Sequence, residues 1–474
     1  MTDLRDTVRE KLADRALQEA LARSLGIVRD KREGALAELA SFGDAVDAAS
    51  RVRYQAVQRL RELLPQLESR LVGEGTHVLW ARDAAEACRK VVDIARQRSV
   101  LRCVMSKSMV AEEIGLDAAL KAAGTAVIQS DLGERVVQLA HQRPSHITAP
   151  CLHLSAAEVG RILHERSGIE LSTDPEKLSR SVAKALRPVF FDAQMAVSGI
   201  NMAVAETGHL VLVENEGNCR MGYTLAPVHV AVMGLEKVVA SLQDAGTLLS
   251  VLARSAMGQR ATCYVSLLPP RPFPGQERYL VIVDNGRTDA FGAGPMRDCL
   301  RCIRCGACLN ACPVYERVGG HAYGWTYPGP IGIVLAPFLG PSEVRGEISN
   351  LCSLCGACTE ACPVGIPLDR LIVLARGLSH PYRPADAVRK ERRFLKWFGA
   401  AMGGRLRYRL SHLGHRLAGA WFPERTRQLE ASLGWSGTRA APRPAAELFR
   451  KRFRKRRELP SELGERDQGG RRDA

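Results

Sequence analysis

The sequence lacks the hydrophobic runs of a secreted or membrane-spanning protein. It opens with the charged stretch Met1-Thr-Asp-Leu-Arg-Asp6, and no uninterrupted apolar run approaches the ~20 residues that a membrane helix needs. Six of its 14 cysteines are scattered without the spacing of a disulfide framework. Free thiols without a secretion signal indicate a reducing compartment, so we expect a cytoplasmic protein.

The sequence also lacks the common nucleotide-binding loops. No G-x-G-x-x-G follows its first predicted strand and no P-loop is present. The short run Gly292-Ala-Gly294 lies outside a strand–helix context. A flavin or nicotinamide site is therefore not supported by any motif.

Excess positive charge is missing from most of the chain and is confined to its end. Residues 381–474 contain 24 lysines and arginines against 10 aspartates and glutamates, which accounts for nearly all of the net charge of +16. Segments 389–398 and 448–457 interleave basic residues with large apolar ones. Basic amphipathic helices of this kind bind anionic membrane surfaces or dock acidic partners, and a solvated tail is the alternative.

Two nearly identical cysteine-rich runs stand at the centre of the sequence. They are Cys302-Ile-Arg-Cys305-Gly-Ala-Cys308-Leu-Asn-Ala-Cys312-Pro313 and Cys352-Ser-Leu-Cys355-Gly-Ala-Cys358-Thr-Glu-Ala-Cys362-Pro363. Each is a C-x2-C-x2-C-x3-C-P run of the kind that holds a [4Fe-4S] cluster. Three thiolates on one tight loop can take three corners of a cubane, and the glycine inside each run lets the backbone wrap close to the sulfides.

This pattern predicts two [4Fe-4S] clusters with crossed ligands, because the last cysteine of such a run ligates the other cluster in two-cluster proteins. We assign Cys302, Cys305, Cys308 and Cys362 to one cluster, and Cys352, Cys355, Cys358 and Cys312 to the other. A zinc site needs only four ligands, usually as two cysteine pairs, so eight cysteines in two identical runs fit zinc or disulfides poorly. Cys299 is an alternative ligand in place of Cys302, although we favour a free thiol on the preceding helix.

The periodicity of apolar residues predicts four regions. They are a helical arm at 1–69, an α/β domain at 70–290, a helical two-cluster ferredoxin module at 291–380, and a basic helical region at 381–474 with a disordered end. Buried strands are predicted at 77–80, 101–105, 126–128, 210–213, 228–232 and 279–283. Because helices alternate with the early strands, we expect a mainly parallel sheet.

Polar residues follow several of these strands, where an open α/β sheet places its ligand site. The residues predicted to bind substrate are Lys107, Ser108, Glu214, Asn215, Glu216 and Asn218. The alternative for the loop at 214–218 is a turn in which asparagine and glycine adopt left-handed backbone angles. Lys237 is predicted to be a surface charge, and no catalytic residue is assigned.

Several segments outside the cysteines carry a resemblance to a known family. They are Ser106-Lys-Ser-Met-Val-Ala-Glu-Glu-Ile-Gly115, Ser130-Asp-Leu-Gly-Glu134, Pro144-Ser-His-Ile147, Ala205-Glu-Thr-Gly208, Glu214-Asn-Glu-Gly-Asn218, Gly234-Leu-Glu-Lys237 and Asp284-Asn-Gly-Arg287, with 302–314, 319–332 and 354–364. On these residues the chain resembles the lactate-utilisation iron–sulfur protein B family, from roughly residue 5 to residue 380.

The resemblance implies a lactate-utilisation domain with the fold of the sugar-phosphate isomerase and coenzyme A transferase superfamily, followed by a dicluster ferredoxin. It also implies a complex with two other lactate-utilisation subunits that oxidises L-lactate to pyruvate. We expect this chain to carry electrons rather than to be catalytic alone. Its basic tail would dock it to an anionic membrane surface or a membrane electron acceptor at the inner face of the membrane. A redox module beside the tail makes nucleic-acid binding unexpected.

Two other functions stay open. The chain could serve another 2-hydroxy-acid dehydrogenase, such as one for glycolate, as its electron-transfer subunit. It could also be a binding protein in which the α/β domain senses a metabolite and the clusters sense the redox state.

Overall fold

The computed structural model describes residues 4–39, 41–383, 385–404, 406–410, 413–414 and 453. The chain divides into two units, residues 1–384 and 385–474. The predicted disordered end, and the basic run at 448–457 except for Phe453, lie outside the described residues. Every helix within the described residues is too short or too polar to span a bilayer.

Four helices open the first unit. They are α1 (Leu4–Ala13), α2 (Arg15–Ala37), α3 (Phe42–Gln58) and α4 (Leu60–Gly73). In α2, Leu21 and Leu25 lie four positions apart on one apolar face, and both are fully buried against the cysteine-rich region. In α4, Leu67 and Leu71 are buried against the α/β domain instead. The helical arm thus packs on both later regions.

A parallel sheet forms the centre of the α/β domain. The strands of the described chain are β1 (His77–Ala81), β2 (Arg102–Met105), β3 (Ala126–Gln129), β4 (Met195–Gly199), β5 (Met202–Val204), β6 (Leu210–Glu214), β7 (Val228–Gly234), β8 (Val238–Val239), β9 (Tyr264–Leu268) and β10 (Glu277–Val283). Six of them pair in the order β1-β10-β7-β4-β2-β3, and every pairing is parallel. Continuous buried runs such as β7 are typical of a sheet covered on both faces. The predicted mainly parallel sheet is confirmed.

A second, smaller sheet pairs β8-β5-β6-β9. In it β6 runs antiparallel to β5 and β9, while β5 runs parallel to β8. Of these strands the sequence predicts only β6. The polar loop at 214–218 therefore follows a strand of the second sheet rather than a strand of the main one.

Helices cover both faces of the main sheet. They are α5 (Ala84–Gln97), α6 (Met109–Glu113), α7 (Leu116–Ala122), α8 (Leu132–Leu139), α9 (Ala156–Ser167), α10 (Pro175–Asp192), α11 (Asn218–Leu225), α12 (Leu242–Met257) and α13 (Arg287–Gly292). Their starts follow from capping side chains: Asp83, Asp131 and Ser241 each accept a backbone N–H of the first turn. One face of α5 packs on the sheet through Ala87, Val91 and other buried residues.

The cysteine-rich region is built from short helices. They are α14 (Ala307–Asn310), α15 (Pro313–Val318), α16 (Gly329–Leu339), α17 (Ser342–Arg345), α18 (Ala357–Glu360) and α19 (Leu368–Ser379), with 3₁₀ helices at Gly294–Arg301, His321–Tyr323, Ile348–Asn350 and His380–Tyr382. Helix α16 is apolar and almost wholly buried, which makes it the central element of this region. These helices share one apolar core with α2 and α3.

The described part of the second unit consists mainly of α20 (Ala385–Met402). Its basic residues Arg392, Arg393 and Lys396 are exposed, and so are Phe394 and Trp397. The rings of Phe394, Trp397 and Phe398 lie together on the helix, so α20 is amphipathic, as the interleaved sequence predicts.

Candidate functional site

Eight cysteines surround two small cavities. Cys302, Cys305, Cys308 and Cys362 line the first cavity, and Cys312, Cys352, Cys355 and Cys358 line the second cavity. The last cysteine of each run thus faces the cavity of the other run, which is the grouping that the sequence predicts. Their roles as cluster ligands stay a prediction. Cys299 is fully buried in the 3₁₀ helix Gly294–Arg301.

The two runs fold into the same backbone loop. The third residue of each run, Arg304 or Leu354, has a left-handed φ of 62° or 56°. The glycine two residues later, Gly306 or Gly356, has a φ of 78° or 84°. Two left-handed residues on either side of a cysteine turn the chain sharply, so that three thiols can face one cavity. Residues other than glycine rarely adopt this backbone conformation, so contacts with the surrounding structure must hold Arg304 and Leu354 in it.

Backbone amides point at the sulfurs of both cavities. The N–H···Sγ pairs are Arg304 with Cys302 (3.4 Å), Leu354 with Cys352 (3.3 Å), Tyr315 with Cys312 (3.4 Å) and Ile366 with Cys362 (3.4 Å). Hydrogen bonds to sulfur are among the features that tune iron–sulfur clusters. The two cavities are alike in this respect.

Burial makes free thiols of this set weak acids. It raises the pKa of Cys305 and of Cys358 to about 12, so both are protonated at neutral pH and lose their protons when a metal binds. Four sulfurs around a cavity, with amide donors directed at them, fit a [4Fe-4S] cluster. Such a cluster, when bound, takes up and releases one electron at a time.

A larger pocket of about 300 Å³ adjoins the first cavity. All six predicted substrate-binding residues line it, namely Lys107, Ser108, Glu214, Asn215, Glu216 and Asn218. The structure brings them together because the ends of β2 and β6 meet there, although the two strands belong to different sheets. Their substrate contacts stay a prediction.

Hydrogen bonds within the protein occupy the loop at 214–218. The Glu214 carboxylate accepts the N–H of Cys219 over 2.7 Å, which caps α11. Asn215 Oδ1 accepts the N–H of Cys263 over 3.0 Å, and its Nδ2 donates to Gln259. These bonds give the loop a structural role in addition to any contact with a ligand.

The remaining residues of this loop reach across to α8. Glu216 Oε2 accepts the N–H of Leu132 over 3.1 Å, and Asn218 Nδ2 donates to Ser130 Oγ over 3.2 Å. Burial raises the pKa of Glu216 to about 7. This wall of the pocket is therefore polar and weakly acidic.

Lys107 is paired inside the same wall. It forms ion pairs with Glu112, over 3.3 Å, and with Glu134. Burial opposes its charge, but the two carboxylates outweigh burial and raise its pKa. Ser108 Oγ accepts the N–H of Ala111 over 3.2 Å and so caps α6. Lys107 and Ser108 are thus also held by the fold.

Two further cations that sequence reasoning missed, Lys237 and Arg304, also line the pocket. Lys237, predicted to be a surface charge, is only 7% exposed and lines the pocket, so that prediction is wrong. The reason is that Lys237 lies between Glu236, which pairs with Arg304 of the first cysteine loop, and β8 of the small sheet. Burial lowers the pKa of Lys237 to about 8. Two features of the sequence could have indicated these cations: the segment Gly234-Leu-Glu-Lys237 and the arginine inside the first cysteine run.

Arg304 lies between the pocket and the first cavity and lines both. Its Nη2 donates to Glu236 Oε1 over 3.2 Å, and its guanidinium lies over the Tyr327 ring at 4.8 Å. Glu236 also accepts from Arg287 Nε over 2.6 Å. Burial opposes the charge of Glu236, but Arg287 and Arg304 outweigh burial and lower its pKa to about 2.

This buried ion network joins the α/β domain to the cysteine-rich region. Arg287 makes a second ion pair with Glu113 over 2.8 Å, and Glu113 accepts from the Tyr327 hydroxyl over 2.7 Å. Arg53 of α3 donates to the backbone carbonyl of Glu236 over 2.7 Å. The network fixes the first cysteine loop against the pocket.

Two protein families match this chain. Residues 64–282 match the LUD domain, and residues 298–366 match the 4Fe-4S dicluster domain. Among solved structures, a DUF162 family protein from Deinococcus radiodurans matches with 17% identity and a TM-score of 0.27, over 48% of this chain and 98% of that one.

Curated relatives match over nearly their whole length. The "Uncharacterized electron transport protein YkgF" of Escherichia coli (strain K12) is 37% identical, over 96% of this chain and 97% of that protein. "Lactate utilization protein B" of Bacillus pumilus (strain SAFR-032) is 36% identical, over 95% of this chain and 97% of that protein. The protein of the same name from Bacillus cereus (strain B4264) is 36% identical over 94% and 95%. With its LUD domain followed by a 4Fe-4S dicluster domain, the chain belongs to the lactate utilization protein B family.

Proposed function

We propose that this chain is the iron–sulfur electron-transfer subunit of a complex that oxidises L-lactate to pyruvate. Two other lactate-utilisation subunits complete the proposed complex, and this chain is not catalytic alone. The observation that carries the proposal is a row of three sites in the first unit: the pocket, the first cysteine cavity and the second cysteine cavity.

The first step of this row is a shared wall. Ile303, Arg304 and Cys305 line both the pocket and the first cavity, so a ligand in the pocket lies one loop away from that cavity. We propose that the predicted four cysteines hold one [4Fe-4S] cluster there. A cluster at this position is poised to exchange electrons with the pocket.

The second step is the short helix α14. It carries Cys308 of the first cavity, and Cys312 of the second cavity follows its end. The second loop reaches the surface, where Ser353 and Cys355 are exposed and Leu354 is 41% exposed. An electron acceptor or donor can approach the second cavity from solvent, which gives the row a buried end and an exposed end.

The names of the relatives support both halves of the proposal. An electron transport protein and several lactate utilization proteins align with this chain from end to end. Oxidation of L-lactate to pyruvate releases two electrons and two protons, and two one-electron clusters are suited to pass the electrons on singly.

We further propose that α20 attaches the protein to an anionic membrane surface at the inner face of the membrane. Exposed Phe394, Trp397 and Phe398 share the helix with exposed arginines and lysines. A helix of this kind lies in the headgroup region with its apolar face buried, and each cation near an anionic surface adds about 1 kcal/mol. Attachment would bring the protein to the membrane that holds the proposed electron acceptor.

The complex can be tested by replacing single cysteines. Cys305→Ser or Cys355→Ser, expressed in a strain that lacks the native protein, should abolish lactate-dependent reduction of an artificial acceptor, because each change removes a proposed cluster ligand. Cys263→Ser is the matched control, since Cys263 is exposed and lies outside both runs. Unchanged lactate oxidation in both variants would contradict the proposal.

The membrane attachment can be tested with the full chain and lipid vesicles. We expect co-sedimentation with phosphatidylglycerol vesicles and little with phosphatidylcholine vesicles. Trp397→Ser should weaken the association, whereas Trp80→Ser, at another exposed tryptophan, should not. Equal binding of Trp397→Ser and the parent chain would rule out α20 as the attachment.

A further inference from the structure

The polar side chains that line the 300 Å³ pocket fall into two groups, which differ in whether they have hydrogen-bond partners within the protein. On the wall made by the ends of β2 and β6, the side chains already have protein partners: Glu214 caps α11, Asn218 binds Ser130, and Lys107 pairs with two glutamates. The wall made by Lys237 and Arg304 is different. It carries positive charge that the described protein groups leave partly unbonded.

Arg304 has buried donors without acceptors. Its Nε and Nη1 are both buried and have no hydrogen-bond partner among the described residues, although the side chain lines the pocket and the residue is only 8% exposed. An unsatisfied buried donor is costly, more so on a charged group, and buried polar groups are nearly always bonded. A native structure with such a group therefore points to a missing acceptor.

Lys237 adds a second cation to the same wall. No hydrogen bond to its ammonium group is formed within the described part of the chain, and the residue is 7% exposed. Around it lie the buried cations Arg53, Arg287 and Arg304, against the carboxylates Glu113 and Glu236. The buried charges near the shared wall thus have a positive excess. A cubane with four thiolate ligands is itself anionic and would offset this excess from the side of the first cavity, so the case for a ligand in the pocket rests on the unbonded donors of Arg304 and Lys237.

We propose that the pocket binds a short 2-hydroxy or 2-oxo monocarboxylate, with its carboxylate held by Lys237 and Arg304 against the first cysteine loop. This inference rests on the proposed function, and it names the class of ligand that the pocket of this chain binds. Apolar side chains such as Ile200, Leu212 and Met257 also line the pocket and suit a short alkyl group.

The acidic wall sets the orientation of the ligand. Glu214 and Glu216, together with Asp131, also line the pocket, and their carboxyl groups disfavour a carboxylate placed beside them. The same oxygens accept a hydrogen bond from a hydroxyl group. A 2-hydroxy acid therefore satisfies both walls, whereas an amide of the same shape satisfies only the acidic one.

The test measures binding to the cluster-loaded protein, purified without oxygen, by calorimetry with L-lactate, pyruvate and lactamide. We expect saturable binding of the two acids and none of the neutral lactamide. Lys237→Met should weaken binding of both acids about tenfold or more, because a charge-assisted hydrogen bond is lost. Lys121→Met is the control, since Lys121 is exposed on α7, pairs with Asp117 and does not line the pocket. Iron content shows whether each variant has folded.

Four outcomes separate the possibilities. Unchanged acid binding in Lys237→Met and Arg304→Gln overturns the inference. So does a shift in the reduction potential of the first cluster with no change in acid binding, because the cations would then serve the cluster alone. Lactate oxidation by the complex without any acid binding to this chain overturns the inference and leaves the proposed function standing. Acid binding to this chain, together with lactate oxidation that does not need Cys305 or Cys355, supports the inference and contradicts the proposed function.

Discussion

The two cysteine runs have nearly the same sequence and the same backbone loop, but their surroundings differ. The first loop lies inside the protein, where Arg304 belongs to a buried ion network with Glu236 and Arg287. The second loop lies at the surface, and Leu354 takes the position of Arg304. The cysteine motif therefore determines the backbone conformation of each loop, while packing against the rest of the protein determines whether the loop is buried or exposed. The following substitutions test this difference between the loops.

The largest difference in stability is expected from substitutions of the carboxylates that lie near each loop, Glu236 and Asp369. Glu236→Gln keeps the shape of the side chain but leaves the buried Arg304 guanidinium without its carboxylate and Arg287 with Glu113 alone, which should destabilise the protein by about 3–5 kcal/mol. Asp369→Asn, beside the second loop, alters a half-buried carboxylate that accepts from Thr359 over 2.7 Å, and should cost no more than about 1 kcal/mol. Denaturant midpoints of the two variants measure the difference. Equal midpoints would mean that the network does not hold the first loop.

A middle-sized difference is expected at the paired glycines. A Cβ at Gly306 would lie 3.1 Å from the buried His146 ring, whereas a Cβ at Gly356 would meet nothing within 4 Å. Both alanine variants carry left-handed strain of about 1–2 kcal/mol, and Gly306→Ala adds about 1–3 kcal/mol because His146 must move. Iron content and thermal unfolding after anaerobic purification should therefore suffer more in Gly306→Ala. If Gly356→Ala is the more damaging change, the second loop is packed more tightly than the structure indicates.

The smallest effect is expected at the exposed tip of the second loop. Leu354→Gly removes a left-handed side chain that is 41% exposed, and should stabilise the protein by up to about 1 kcal/mol. Leu354→Ala is the control, because alanine keeps the strain and should give no gain. At Arg304 the same change to glycine should destabilise instead, since the bond to Glu236 is lost. A loss of stability in Leu354→Gly would contradict the proposed strain.

The sequence predicts those parts of the fold that have a local signal. The predicted strands at 77–80 and 228–232 fall within β1 and β7. The spacing of the cysteines within each run is also a local signal, because that spacing is specific to a cluster-binding loop. In these cases the neighbouring residues alone carry the information.

The rest depends on contacts between distant segments. Strands β5 and β8 are only three and two residues long, too short for an alternating apolar pattern to be recognised in the sequence. They belong to the small sheet that positions the loop at 214–218. Lys237 looks like a surface lysine until its neighbour Glu236 is paired with Arg304 of the first cysteine loop. The cationic wall combines residues 67 positions apart in the chain, so no window of sequence contains it.

The crossed cysteines also bear on how the protein is made. Cys302, Cys305 and Cys308 share their cavity with Cys362, which the ribosome adds more than fifty residues later. A nascent chain that ends before Cys362 can offer only three of the four cysteines that line the first cavity, and the second cavity is lined in part by Cys312 from the earlier run. Neither cavity can be completed on a separate half of the module. Under the proposed ligand assignment, cluster insertion would therefore wait until both runs have been synthesised and brought together.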